Sequence, residues 1–162
     1  QCILTDTTTG AGKKVSNGAY MPKVFNKNGY HPNDLLYFLQ ITSSVNRDPL
    51  NSTISCDGFG SMGPAQFLPA TWILFVDRLK GLLGTTADPW AVKDSFTASA
   101  LYLSDRGATA QTATAEANAA YRYNGSGNMA RVYSRSVMTR ANCIQTFIDS
   151  GTMSSSCQNL IF

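Results

Sequence analysis

Apolar side chains in this chain recur at helical spacing and almost never alternate, which restricts it to a mainly helical architecture. From Pro32, "PNDLLYFLQITSSVN" sets Leu35, Leu36, Phe38, Leu39 and Thr42 near one face, with Asn33 and Asp34 in the first turn. An acid there opposes the positive end of the helix. Pro69 suits the first position of a second helix, which runs through Trp72, Phe75, Val76 and Leu79 to about Leu83. A third extends from about Val92 to Asp105 and stops before Gly107, with Phe96, Ala100, Leu101 and Leu103 as its buried stripe. The Ala-rich "TATAEANAAYRYN" is a fourth, ending at Asn124-Gly125, and the last places Val132, Val137, Ala141, Ile144 and Ile148 on one side. Residues 1–31 are full of turn formers and read as an irregular arm, 47–63 as a long loop, and 150–162 as a polar tail. The expectation is one mainly α domain over 1–162, with a helical core at 32–149 and long loops.

A chain of 162 residues can bury one hydrophobic core. Charged residues are only 14%, so the surface must lean on Ser, Thr, Asn and Gln. The formal charge of +3, with no Arg/Lys run interleaved with aromatics, argues against nucleic acid and leaves a weak attraction for anionic polymers. No apolar run approaches the ~18 residues of a membrane span. The chain opens at Gln1-Cys2 without Met or a basic-then-apolar leader, which reads as a processed or truncated end.

The four cysteines, Cys2, Cys56, Cys143 and Cys157, form no C-x-x-C pair, and His31 is the sole histidine. That argues against a zinc site and for two disulfides in an exported domain, extracellular, periplasmic or in the cell envelope. Of three connectivities, Cys2–Cys56 with Cys143–Cys157 is favoured. The first ties the N-terminal arm to the loop before residue 58, and the second closes a short loop that pins the tail to a helix. Each bridge would contribute about 2–4 kcal/mol. Four reduced cysteines in a cytosolic core is the alternative.

Three blocks carry more specific information: "GSMGPAQFLPATW", then "DPW" with "DSFTASALYLSDRGA", then "YRYNGSG" with "VYSRSVM". In this order the chain resembles the lysozyme-like lytic murein transglycosylases of the membrane-bound transglycosylase B type, across roughly residues 45 to 140. The first block is the specific one. The resemblance implies a lysozyme-like (goose-type/transglycosylase) fold with no metal and no cofactor, and peptidoglycan glycan strands as partner. It assigns substrate contact to Ser61, Met62 and Gln66. The residue types fit that role. Ser61 and Gln66 offer hydrogen-bond partners for N-acetyl and hydroxyl groups, Met62 and Phe67 offer apolar surface to a pyranose, and Gly60 and Gly63 let backbone approach a ligand. Core packing is the competing role for Phe67, and is expected of Leu68 and Trp72. By the same resemblance Tyr123 and Asn124 sit beneath the catalytic acid at a helix end, with Tyr121 two residues away and Tyr133 as a further cleft candidate.

The chemistry the resemblance implies is non-hydrolytic cleavage of the bond between N-acetylmuramic acid and N-acetylglucosamine. One neutral carboxyl group gives its proton to the glycosidic oxygen. It then takes one from the sugar's 6-hydroxyl, closing a 1,6-anhydro ring. An apolar pocket keeps such a group protonated. The family's acid is a Glu on a helix before the "GSMG" block, but the single glutamate here, Glu116, comes after it. In relatives sharing the "QC-(I/Y)-L" opening that Glu lies about ten residues before the Gln-Cys, so it is expected upstream of Gln1. A preceding segment or partner chain would then supply it, and this chain alone would be inactive. Glu116 and Asp57 are the internal substitutes to weigh, against a helix first-turn acid and a turn former. Asp88, Asp94 and Asp105 read as turn, capping and surface residues. Three function classes follow: a transglycosylase-like glycan-cleaving domain whose acid lies elsewhere, an inactive peptidoglycan-binding or extracellular structural module, and an unrelated helical secreted domain whose loop matches by coincidence.

Overall fold

A computed structural model of the protein describes residues 31–55 and 60–161, and the backbone of Cys2 and Ile3. It contains two compact units, Gln1–Ser99 and Ala100–Phe162. The elements run β1 (Cys2–Ile3), α1 (Asp34–Ser44), β2 (Thr53–Ile54), α2 (Pro69–Ile73), α3 (Val76–Leu83), α4 (Val92–Asp105), a 3-10 turn (Ala108–Ala110), α5 (Ala113–Tyr123), α6 (Gly127–Ser150) and α7 (Ser155–Ile161). The chain is mainly helical, as its periodicity requires. β1 and β2 pair antiparallel, Cys2 opposite Ile54 and Ile3 opposite Thr53, so the N-terminal arm is not wholly irregular.

In the first unit α1 ends in a Schellman turn. Asn46 adopts φ 54°, its N–H reaches Ser43 O, and the Arg47 N–H reaches Thr42 O at 2.8 Å. The helix buries Asp34, Phe38, Ile41 and Thr42, while Leu36 and Leu39 stay exposed. The buried face is therefore rotated from the expected one. It can include Thr42 because its hydroxyl is satisfied locally by Phe38 O and Leu39 O. Pro69 opens α2 as expected, but the helix does not run on to Leu83. It stops at Ile73, tightens through i→i+3 bonds at Leu74 and Phe75, and restarts at Val76. The break lies where Trp72 and Phe75 both pack against the Phe67 ring, at 5.6 and 6.2 Å. On α4, Ser95 and Ala98 are buried and Phe96 is exposed, because the Ser95 hydroxyl accepts the Ala65 N–H and turns that face inward.

The second unit is held by small residues. α5 buries Ala119 and Ala120, α6 buries Ala130, Ser134 and Cys143, and the Ser134 hydroxyl donates to Ala117 O at 2.6 Å. Small side chains let the two helices approach closely, so Val132, Ile144 and Ile148, expected in the core, are left outside. The tail is not simply polar coil: it contains α7, pinned to α6 by the expected Cys143–Cys157 disulfide with Cα atoms 5.6 Å apart. Cys56, and with it the expected Cys2–Cys56 bridge, lies outside the described residues. Among the described residues no helix is long and apolar enough to cross a membrane.

Candidate functional site

The "GSMGPAQF" block folds into a closed loop on the first unit. Met62 bridges antiparallel to both Ile54 and Phe67, and its N–H donates to Phe67 O at 2.8 Å. Ser61 is tied to Ser55 through the Ser55 N–H to Ser61 O bond and the Ser61 N–H to the Ser55 hydroxyl. Inside this frame Gly63 to Gln66 is a tight turn closed twice over. The Gln66 N–H reaches Gly63 O at 3.2 Å, and the side-chain Nε2 donates to the same oxygen at 2.6 Å. Gln66 is exposed and held at φ 56°, a left-handed conformation that side-chain-bearing residues adopt at a cost. Its Oε1 accepts no hydrogen bond from any described residue. The Ser61 hydroxyl, half-buried on the same loop, is likewise without a described partner.

Two expected contacts are corrected here. Met62 is fully buried and Phe67 is 4% exposed, ringed by Trp72 and Phe75. Their surfaces belong to the core behind the loop and are not open to a sugar ring. Gly63 serves packing rather than ligand approach. At φ +62° its α-carbon faces the chain itself, and a Cβ there would stand 1.8 Å from Pro89 O.

That carbonyl belongs to "DPW", which acts as a clamp for the loop. Asp88 accepts from Arg47 through two nitrogens and from the Trp90 N–H, while Asp94 accepts the Asp88 N–H. The Trp90 indole donates to Thr53 O at 2.6 Å, its ring packs edge-on to Phe38, and Arg47 lies 5.0 Å over it. Turn and capping roles for Asp88 and Asp94 are what the sequence led one to expect. The role of Trp90 was not legible, because its partners are 37 and 52 residues away in the chain.

Asp34 was missed as anything beyond a first-turn acid. It is 1% exposed; one oxygen accepts the Ala70 N–H at 2.8 Å and so caps α2 from outside. The other is buried with no hydrogen-bond partner among the described residues. Burial raises its carboxyl above the ordinary value, against the lowering effects of the Ala70 N–H and of His31 nearby.

The remaining expected contacts lie on the second unit. Tyr123 stands between two rings, edge-on to Tyr102 at 5.2 Å and stacked on Tyr133 at 6.2 Å, with Arg106 over Tyr102. Burial pushes the Tyr133 phenol up, so it stays protonated. Asn124 is the exposed C-cap of α5. The Tyr121 oxygen accepts the Gly127 N–H at 2.9 Å, closing the turn between α5 and α6. Tyr121 also lines a hollow of about 420 Å³ with Ala117, Asn118, Arg131, Ser134 and Arg135. The structure thus groups Ser61 with Gln66 on one unit and Tyr121, Tyr123 and Asn124 on the other.

Glu116 is exposed in the first turn of α5, as its position suggested, and Asp57 lies outside the described residues. Among the described residues no group of three His, Cys, Asp or Glu could hold a metal ion. No family model, curated protein or solved structure matches this chain, so residues and geometry carry the functional reading.

Proposed function

We propose that this chain is a lysozyme-like helical domain of the lytic-transglycosylase type that binds the N-acetylated glycan of peptidoglycan through its Ser61–Gln66 loop. One observation carries the reading: Gln66 is exposed, strained, and pinned by its own amide, and its carbonyl oxygen has no partner among the described residues. A glycine would take the same backbone conformation at no cost. A glutamine there holds an acceptor in a fixed place, where an acetamido N–H can meet it without further ordering of the side chain. The Ser61 hydroxyl on the same loop can accept from or donate to a sugar hydroxyl. Met62 and Phe67, buried behind the turn, make the platform rigid.

Cleavage by this family's route needs a neutral carboxyl group at the glycosidic oxygen. The described acids of the first unit are Asp34, Asp48, Asp77, Asp88 and Asp94, of which Asp77 is an exposed first-turn acid of α3. Asp34 caps Ala70, Asp48 accepts from the Leu50 N–H and the Asn51 amide, and Asp88 and Asp94 build the clamp. In this reading the proton donor is a glutamate carried by another segment, and this chain by itself binds without cutting.

The test is Gln66→Gly, which relieves the backbone while removing the carboxamide. Calorimetric titration with chitotetraose should show roughly a two- to tenfold loss of affinity, the worth of one hydrogen bond. Thermal stability should be retained. Unchanged affinity would refute the assignment. Incubation with purified peptidoglycan should release no 1,6-anhydromuropeptides by mass spectrometry, and their appearance would overturn the binding-only reading.

A further inference from the structure

The hollow between α5 and α6 collects hydrogen-bond donors and contains no acid. Arg131 and Arg135 are one turn apart on the same face of α6, both exposed, and neither is paired with a described carboxylate. Two like charges at that spacing cost helix stability unless an anion sits between them. Tyr121 faces them from α5. Its oxygen already accepts the Gly127 N–H, so its own proton is left to donate. Asn118 adds a carboxamide with no described partner. Ser134 spends its proton on Ala117 O and offers the hollow only acceptor capacity.

The choice of cation points the same way. The second unit has five arginines (Arg106, Arg122, Arg131, Arg135 and Arg140) and no lysine. A guanidinium presents a planar fork that matches an oxyanion with two parallel bonds, which an ammonium does not. Arg106 is engaged with the Tyr102 hydroxyl and Arg140 with Ser136. Arg122 does not line the hollow, and Arg131 and Arg135 are the two arginines that do.

We propose that this hollow binds a free carboxylate of the peptide stems borne by peptidoglycan, held by Arg131 and Arg135 with Tyr121 and Asn118 donating to the same group. The ligand class rests on the glycan reading above. The hollow itself belongs wholly to the second unit, so the two fail separately.

The intact chain would be titrated by NMR and calorimetry with four probes. These are a muramyl dipeptide with a free terminal carboxylate, the same compound as its terminal amide, chitotetraose, and inorganic phosphate. The expected result is that the acid binds roughly ten- to a hundredfold more tightly than the amide, as charge-assisted bonds are lost. Its binding should shift the Asn118 side-chain NH₂ signals. The preference should vanish in the Arg131→Gln/Arg135→Gln variant, whose exposed helical positions tolerate glutamine. Chitotetraose affinity should be the same in that variant and in the unaltered chain. Equal binding of acid and amide, or a preference that survives the double substitution, overturns the proposal. Displacement of the acid by equimolar phosphate overturns it too, since the hollow would then be a phosphate site. Failure of chitotetraose to bind, with the acid preference intact, sinks the glycan reading and leaves the carboxylate site standing.

Discussion

Gly63→Ala should be far more damaging than an alanine at another left-handed glycine, and the structure says by how much. Gly84 is the control: it ends α3 at φ +73°, and a Cβ added there would meet nothing within 4 Å. An alanine at that position carries only the left-handed backbone penalty, about 1–2 kcal/mol. At Gly63 the same penalty applies, and the new carbon would also stand 1.8 Å from Pro89 O and 2.7 Å from its carbonyl carbon. Real contacts do not fall below 3.0 Å, so loop and clamp must separate by roughly 1 Å. The far side cannot simply yield, because Pro89 lies between Asp88, gripped by Arg47, and Trp90, hydrogen-bonded to Thr53 O. Overpacking of this kind costs about 1–3 kcal/mol. Gly63→Ala should therefore lose about 2–5 kcal/mol in total, against about 1–2 for Gly84→Ala. Urea unfolding followed by tryptophan fluorescence reads the right region, since Trp72 and Trp90 are the two tryptophans and both belong to the first unit. Equal losses in the two variants would show that the loop does not rest on the Pro89 carbonyl, and the account of the clamp would fall with it.

Asp34→Asn keeps an acceptor for the Ala70 N–H and removes the charge. The native carboxyl is raised by burial, so the folded state holds its proton more tightly than the unfolded chain does. Its contribution to stability is greatest below the ordinary value of 3.8 and is lost as pH rises through the elevated one. The stability of Asp34→Asn minus that of the native chain should therefore increase with pH from about 4 upward, measured by urea unfolding at several pH values. Parallel profiles would refute a buried titrating carboxyl. Opening the Cys143–Cys157 bridge by the double serine substitution releases a loop with a sequence separation of 14 residues. It should destabilise the docking of α7 by about 3 kcal/mol. Hydrogen exchange should then speed up across Ser155–Ile161, and unaltered protection would show that the helix is held by its other contacts.

Much of the helical plan was readable because it rests on local rules. Pro69 opens a helix through its fixed φ, Asn46, Gly84 and Gly151 end helices in left-handed turns, and Thr112 caps α5 by accepting the Ala115 N–H. The Cys143–Cys157 bridge was readable because it closes a short loop. The faces were less legible. Periodicity counts apolar side chains, but Ser95, Thr42, Asp34 and Ser134 are buried because each finds a specific hydrogen-bond partner. Phe96 and Ile148 are correspondingly left outside.

The sequence by itself determined many helix starts and stops, since those signals act within a turn or two of the residues that carry them. The break between Ile73 and Val76 and the helix in the tail were not among them. Only the tertiary structure decided that Met62 and Phe67 are core, that Gly63 faces Pro89, and that Gln66 is the exposed, fixed group of its loop. Those outcomes depend on which distant segment covers each side chain. Solvent exposure is a property of the packed chain and not of any residue's neighbours along it.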